Sequence, residues 1–373
     1  MRESPNVARR VIAMNRRDRH GSLVVILDHL RAPVVLAPLG GGPSTPELAA
    51  AVSEAGGFGF LAAGYLTAGE LEERVARTRS LTGEPIGVNV FCPGSGASEP
   101  TVYRPYLERL RRWAEREGVN VGEPRYSDDD WEAKLELLVR ERLPVVSFTF
   151  GCPEPGVIRQ LQDAGSEVWV TVTSPEEAGL ASAAGTDALV VQGAEAGGHR
   201  GSFRDSPDVS LCGLLALLSL VQVQVGLPLV ASGGIATGAA LAATLCAGAR
   251  AAQIGSGFML CPEAGTSEVH RTALRGREPT ALTRAFTGRL ARGIRNRFLN
   301  EHSADAPIAY PELHYATAPM RKQAREQGNM DLVNLWAGEA YQLAEETPAA
   351  EIIRHLCAEA DEALQTAATR LLM

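Results

Sequence analysis

His199 stands out in the sequence as a residue that could carry out acid–base chemistry. It lies in the segment DALVVQGAEAGGHRGSF (187–203), just after a hydrophobic run that is typical of a buried strand. Histidine exchanges protons near neutral pH and is a common general base. Gly197 and Gly198 precede it, and glycine allows a backbone to lie close to a ligand. A lone histidine is more often structural, but this position makes His199 the candidate catalytic residue.

Other polar residues near apolar runs have two interpretations each. Gln192 ends the run before His199, and Asn89 stands within the apolar run IGVNVF. A buried side-chain amide needs a hydrogen-bond partner, which is either a neighbouring loop or a bound ligand. Glu195 is interpreted as a solvated loop residue, and Arg200 as a residue that tethers a loop.

Two glycine-containing segments follow later hydrophobic runs and could bind an anion. They are SGG at 232–234, before a predicted helix that starts near Thr237, and QIGS at 253–256. Glycine lets the backbone approach an anion, and a helix N-terminus directs free amides towards it. Together the segments predict a phosphate site, and turns that only require glycine are the alternative.

Short runs of consecutive apolar residues predict the strands that position these groups. Such runs are typical of strands covered on both faces, as in parallel sheets. Between them lie segments with helical periodicity, several of which begin with Ser or Thr followed by Pro and Glu, as at 44–47 and 174–176. The predicted strands are VVLAP (34–38), FGFLAA (58–63), IGVNVF (86–91), PVVSFTF (144–150), EVWVTV (167–172), ALVVQ (188–192), PLVAS (228–232) and AAQIGS (251–256).

Eight strand–helix repeats over about 220 residues predict an α/β fold of the (β/α)8 TIM-barrel type. An open doubly wound sheet is the alternative, because strand counting does not distinguish the two. We expect an N-terminal extension at 1–30, a ligand-binding barrel at 31–260, and a C-terminal cap with closing helices at 261–373. The insertion at 92–130 is longer than a simple connection, so it is expected to form a smaller helical and loop cap near the barrel mouth together with the C-terminal region.

Composition argues against several classes of protein. The 373 residues carry a net charge of -8 and are 45% hydrophobic, which is ordinary for a soluble globular protein and unlike a nucleic-acid binder. The cysteines form no C-x-x-C pair, and no apolar run reaches the ~18 residues of a membrane span. The arginine-rich start lacks the apolar stretch of a secretory signal. We expect a cytoplasmic protein without a metal site, and the sequence allows a homodimer without specifying one.

The predicted barrel brings these candidates to one mouth. Active sites of such barrels lie at the C-terminal ends of the strands, and the loops after strands seven and eight commonly bind phosphate. Three glycines at 40–42 follow the first strand, so a flat ligand could lie against the backbone there. The predicted site would hold one phosphate and one polar ring system, and it offers no place for an adenine group. FMN has these features and is the expected cofactor.

Several dispersed motifs, in the same order, resemble the nitronate monooxygenases, formerly called 2-nitropropane dioxygenases, and specifically their bacterial class I-like group. The resemblance covers about residues 33–345 and includes APLGGGPSTPELAAAVSEAGGFGFLAAGY, DALVVQGAEAGGHRGSF, LPLVASGGIATG, AAQIGSGFML, TAPMRKQA and NLWAGEAY. It implies a TIM barrel that holds FMN noncovalently, with His199 as the catalytic histidine. The implied cofactor contacts are Ala37, Pro38, Leu39, Asn89, Gln192, Gly197, Gly198, Ser232, Gly233, Gly234, Gln253, Ile254, Gly255 and Ser256.

The resemblance implies oxidation of an alkyl nitronate by O2 to a carbonyl compound and nitrite. His199 would orient the anion or take a proton from a neutral nitroalkane. The chain departs from the family at two positions: Leu39 stands where the family often has Met, and Glu339 where it usually has Gln. A carboxylate at Glu339 would either repel an anionic nitronate or pair with an arginine such as Arg321.

Two other functions remain open from the sequence. Flavin-dependent enoyl-thioester (enoyl-ACP) reductases, which use NADH or NADPH, resemble this family and also carry a Gly-Gly-His stretch. The second alternative is a protein that binds a flavin but catalyses no reaction. The EAGGHRGSF and APLGGG segments are more similar to the nitronate enzymes.

Overall fold

A parallel eight-stranded sheet forms the centre of the computed structural model, which describes residues 26–94 and 96–372. The strand order around the sheet is β1-β9-β8-β6-β5-β4-β3-β2. Backbone hydrogen bonds from Leu36 N to Phe58 O and from Phe58 N to Val34 O, both 2.9 Å, join its two edges. The sheet is thus closed, which confirms the predicted barrel over the open sheet. Its strands are β1 (Val34–Leu36), β2 (Gly59–Ala62), β3 (Ile86–Phe91), β4 (Val145–Thr149), β5 (Glu167–Val172), β6 (Ala188–Gln192), β8 (Leu229–Ser232) and β9 (Ala251–Ile254), and a short strand outside it is β7 (Gly198–His199).

The helices around the barrel begin where the sequence supplies a capping residue. The Thr45 hydroxyl accepts a hydrogen bond from Leu48 N at 2.9 Å, and Thr67 forms a reciprocal capping box with Glu70. Ser174 and Thr237 cap their helices in the same way. Each capping residue therefore sets where its strand–helix loop ends and its helix begins. The helices are α1 (Pro46–Glu54), α2 (Ala68–Leu81), α3 (Pro100–Glu117), α4 (Trp131–Glu141), α5 (Pro155–Asp163), α6 (Pro175–Ala184), α7 (Leu214–Gln224), α8 (Gly238–Cys246), α9 (Glu268–Leu274), α10 (Arg297–His302), α11 (Glu312–Glu326) and α12 (Ala349–Leu371).

Large apolar side chains fill one end of the barrel interior. The rings of Phe58, Phe60 and Trp169 lie within 5.3–5.8 Å of one another, measured between centroids. Ile26 and Leu27, in a short 3₁₀ helix, pack against the same cluster. This end is closed by packing, so any site must lie at the opposite end, where the strands reach their C-termini.

The insertion and the chain after β9 share a second apolar core over that opposite end. Tyr106 in α3 donates a hydrogen bond to Ala285 O at 2.8 Å, and Trp113 donates to a Glu301 carboxylate oxygen at 3.0 Å. The antiparallel strands β10 (Thr280–Thr283) and β11 (Ala291–Ile294) belong to this cap. Strand β11 also pairs with β7, which ties the cap to the loop after β6. The cap expected from the insertion and the C-terminal region is present.

Helix α12 packs against the barrel wall, between α8 and α1. Its side chains Ile352, Ile353 and Leu356 are part of the core between the strands and the outer helices. It thus supplies the eighth helix around the barrel. Most of the predicted N-terminal extension, residues 1–25, lies outside the described residues. Within the part that the structure describes, no helix is both long and apolar enough to span a membrane.

Candidate active site

A cavity of about 420 Å³ opens between the C-terminal ends of the barrel strands and the cap. Ligand pockets of proteins commonly have volumes of about 300–1,000 Å³. Ile254 is buried in the barrel core and does not line the cavity. The other predicted residues all line it: Ala37, Pro38, Leu39, Asn89, Gln192, Gly197, Gly198, His199, Ser232, Gly233, Gly234, Gln253, Gly255 and Ser256.

The loops after β8 and β9 present backbone amides at one end of the cavity. Gly233 and Gly234 have φ angles of 115° and 69°, which glycine adopts without strain. The amides of Gly233, Gly234 and Gly255 donate to no other residue that the structure describes. The Ser256 hydroxyl accepts from Gly338 N at 2.9 Å, so its own hydrogen is available as a donor. Successive free amides of this kind suit an anion such as phosphate.

The N-terminus of α8 is already occupied by a carboxylate. Glu359 of α12 accepts a hydrogen bond from Gly238 N at 2.8 Å, while Thr237 caps Ala240 N at 3.2 Å. The sequence led us to expect that this helix end would face the phosphate. In the structure the Glu359 carboxylate takes that place, and its negative charge would repel an anion. An anion in the cavity must therefore be bound by the loop amides.

The three side-chain amides predicted to contact the cofactor differ in their partners. Asn89 donates to Ser147 Oγ at 2.9 Å and to Thr149 Oγ1 at 3.0 Å, which leaves its oxygen for another donor. Gln192 donates to His199 O at 3.1 Å and accepts from Gly201 N at 2.8 Å, so it shapes its own loop. The Gln253 amide bonds to no side chain or backbone group of the described residues and is free to contact a ligand.

His199 is held by a residue of the cap. It pairs with Ala291 across β7 and β11, and its Nε2 lies 2.9 Å from Thr287 Oγ1. Because the Thr287 hydroxyl donates to Arg289 O at 3.2 Å, it accepts from His199, which places the proton on Nε2 and a lone pair on Nδ1. Burial, with the nearby charges of Arg289 and Arg321, lowers the pKa of His199 to about 3. His199 is therefore neutral at physiological pH, and Nδ1 can accept a proton or a hydrogen bond.

Comparison with known proteins identifies the family. The nitronate monooxygenase family model matches residues 25–359. The chain belongs to the nitronate monooxygenase family. This confirms the predicted family and the prediction of an oxidoreductase enzyme.

Individual members of the nitronate monooxygenase family and solved structures agree with the assignment. A nitronate monooxygenase of Pseudomonas aeruginosa is 40% identical over 88% of this chain and 96% of its own length. A solved nitroalkane oxidase from Streptomyces ansochromogenes is 46% identical, with a TM-score of 0.88 over 91% of this chain and 99% of that one. FabK from Thermotoga maritima is 25% identical, with a TM-score of 0.73 over 92% and 97% of the two chains.

Three charged residues, Glu195, Arg200 and Glu339, have structural partners in this member of the family. The Glu195 carboxylate accepts from Leu214 N at 3.1 Å, so it caps α7 rather than being solvated. Arg200 donates to the carbonyls of Ser210 and Thr173, as the tether interpretation requires. Glu339 pairs with Arg292 at 2.9 Å and not with Arg321.

Aromatic residues that the sequence analysis missed form the wall around His199. The ring of His199 lies 5.7 Å from that of Phe150, 5.7 Å from that of Tyr310 and 5.5 Å from that of Trp336, measured between centroids. Phe150 and Tyr65 adopt φ angles of 75° and 68°, which are unusual for residues other than glycine and occur at functional sites. Phe150 ends the predicted strand 144–150 and Tyr65 closely follows the predicted strand 58–63, so an aromatic residue at a strand end was a usable signal. Tyr310 and Trp336 come from the cap, and no local pattern marks them.

Proposed function

We propose that the protein binds FMN in this cavity and oxidises alkyl nitronates with O2 to carbonyl compounds and nitrite. Neutral nitroalkanes would be substrates after removal of a proton. The observation that carries the proposal is one cavity with free loop amides at one end and neutral His199 on its wall. The names borne by the Pseudomonas and Streptomyces relatives support the same chemistry.

The residues present fit FMN at both of its polar ends. The amides of Gly233, Gly234 and Gly255, with the Ser256 hydroxyl, would hold the phosphate. Gln253 and the oxygen of Asn89 would meet the polar edge of the ring system. When bound, FMN supplies electron transfer between the nitronate and O2, and the balanced reaction converts two nitronate anions and one O2 into two carbonyl compounds and two nitrite ions.

His199 would handle the proton or the negative charge of the substrate. With Nε2 bonded to Thr287, the Nδ1 lone pair can accept the proton on the carbon that bears the nitro group. A nitronate needs no such step, and with it His199 would only orient the anion. The rings of Phe150 and Trp336 pack against the His199 ring and would shield this position from water.

Anaerobic mixing of the purified yellow protein with propyl-2-nitronate tests the proposal. We expect the flavin absorption to change with the nitronate and to stay unchanged with NADH or NADPH. Nitrite release and O2 consumption with the nitronate in air should follow. Rapid bleaching by NADH, without nitrite release, would instead favour the enoyl-thioester reductase.

Two further results bear on parts of the proposal. Protein that is colourless and takes up no FMN on reconstitution contradicts the cofactor assignment. A His199→Asn variant should keep the flavin and lose most turnover of 2-nitropropane, by about 10²-fold or more, as is usual for the loss of a general base. Unchanged turnover in that variant contradicts the role of His199.

A further inference from the structure

Arg321 in α11 carries a buried positive charge without a carboxylate partner. Its side chain is only 5% exposed, and it lines the cavity. Its Nε donates to Thr317 Oγ1 at 3.1 Å, its Nη1 to Asn334 Oδ1 at 3.3 Å and its Nη2 to His314 O at 2.7 Å. These acceptors are neutral, and no carboxylate among the described residues forms an ion pair with Arg321. A buried charge without a counter-ion is unfavourable, so this one calls for an anion from outside the chain.

The cavity as a whole is free of acidic side chains. Its lining residues, all within the described ranges, include no Asp or Glu, although the chain carries a net charge of -8. Arg325 lies at the edge of the same end and donates to Asn334 Oδ1 at 3.4 Å. The Arg321 Nη2 also lies 3.4 Å from His314 Nδ1. The guanidinium group has five N–H donors, so these four contacts leave at least one for a ligand.

A chain of ring contacts connects Arg321 to His199. The ring of His314 stacks on Tyr65 with centroids 4.0 Å apart, and the Tyr65 and Tyr310 hydroxyl groups are 3.2 Å apart. Tyr310 in turn contacts the ring of His199. Arg321 therefore belongs to the same part of the cavity as His199.

We propose that Arg321 is the counter-ion that binds the negatively charged substrate, and that it favours nitronates over neutral nitroalkanes. This inference rests on the proposed function. A nitronate has two oxygen atoms on one planar nitrogen, as a carboxylate has on carbon, and guanidinium N–H groups bind that arrangement well. The neutral nitroalkane presents the same oxygen atoms without the net charge, so it gains less from Arg321.

The neighbouring titratable groups leave the two arginines that line this part of the cavity, Arg321 and Arg325, as its lasting positive charges. Burial and the charge of Arg321 lower the pKa of His314 well below its usual range, as burial and two arginines do for His199. Burial raises the pKa of Tyr65 to about 12, so this phenol stays neutral. The binding of a small anion should therefore be independent of pH from about 5 to 9.

The test titrates the FMN-loaded protein with sodium nitrite and follows the flavin absorption spectrum. Arg321→Gln should weaken nitrite binding and raise the KM for propyl-2-nitronate about tenfold or more, the usual weight of a charge-assisted hydrogen bond. The KM for 2-nitropropane should change less than about threefold, and Arg321→Lys should retain part of the nitrite affinity. Arg125→Gln, which removes an exposed arginine stacked on Tyr315, is the matched control and should behave like the wild type.

Unchanged nitrite affinity in a flavin-loaded Arg321→Gln variant overturns the inference. Should that variant fail to fold, the pH dependence of nitrite binding to the wild type decides. Affinity that falls as pH rises through 6–7 assigns the counter-charge to a histidine instead of Arg321. If the wild type releases no nitrite from propyl-2-nitronate, the proposed function fails, while the nitrite titration still measures the anion site.

Discussion

His199 Nε2 lies 2.9 Å from the hydroxyl oxygen of Thr287, and this contact joins the loop after β6 to the cap. The two residues are 88 positions apart in the sequence. Thr287 is buried in the loop between β10 and β11, and its hydroxyl also bonds to the backbone of Arg289. The cap thus fixes both the orientation and the proton position of the candidate catalytic ring.

Replacing Thr287 with valine should lower turnover without releasing the flavin. Valine keeps the volume but removes the acceptor for Nε2–H, so the ring can rotate or change tautomer. We expect kcat for 2-nitropropane to fall about tenfold, less than the 10²–10⁴ associated with losing a general base altogether. Thr287→Ser keeps the hydroxyl and should stay near wild-type turnover. Equal rates for the serine and valine variants contradict the orienting role.

A methyl group at Gly197 should destabilise the protein. A Cβ atom there would lie 2.4 Å from Gly338 N and 2.5 Å from Ala337 C, and backbone atoms cannot move aside cheaply. We expect Gly197→Ala to lower the free energy of unfolding by about 1–3 kcal/mol and to weaken FMN binding. Gly156→Ala, in helix α5 where nothing lies within 4 Å, is the control and should be neutral or slightly stabilising. Thermal unfolding with and without FMN measures both effects.

Glu339→Gln should leave the KM for propyl-2-nitronate unchanged. The Glu339 carboxylate is half-exposed and pairs with Arg292, which also donates to Ala194 O at 3.0 Å. Because it does not line the cavity, its charge is expected to act on the cap and not on the anionic substrate. The stability change should be below about 1 kcal/mol, as for other partly exposed pairs. A several-fold decrease in KM would show that Glu339 repels the substrate after all.

The buried histidines should make the fold less stable as the pH falls. Burial lowers the pKa of His270 to about 4, and its Nε2 bonds to Trp336 O at 3.1 Å. In the unfolded chain the pKa is about 6.5, so the unfolded state binds more protons between these values and stability decreases as the pH drops through them. His270 alone should contribute about 2 kcal/mol of this loss between pH 7 and 5. Denaturant unfolding of the wild type and of His270→Gln at both pH values measures this loss. The free energy of unfolding should decrease less in the variant than in the wild type.

The barrel could be predicted because its strands and helices are each specified by residues that are close together in the sequence. Each strand is a run of consecutive apolar residues, and helices begin at capping residues such as Thr45 and Thr237. Once the strands are placed, the barrel geometry brings their C-terminal ends together, which is why most candidate residues line one cavity.

The remaining features depend on pairs of residues that are far apart along the chain. Glu359 reaches Gly238 across 121 positions, and His314 stacks on Tyr65 from the cap. Periodicity and spacing describe neighbours within one element, so neither the capping of α8 by α12 nor the partner of Glu339 could be inferred from them. The buried charge of Arg321 was invisible for the same reason, since its lack of a carboxylate is a property of the whole cavity.

The Glu359–Gly238 contact leads to a prediction that separates stability from cofactor binding. Glu359→Ala removes the carboxylate from the N-terminus of α8 and should lower the free energy of unfolding by about 1 kcal/mol. The amides assigned to the phosphate are those of the loops after β8 and β9, so the FMN dissociation constant should change less than about threefold. Glu362→Ala, which changes an exposed residue of the same helix, is the control for both measurements. Strong loss of FMN affinity in Glu359→Ala, with stability equal to that of the control, would mean that α12 positions the phosphate loop itself.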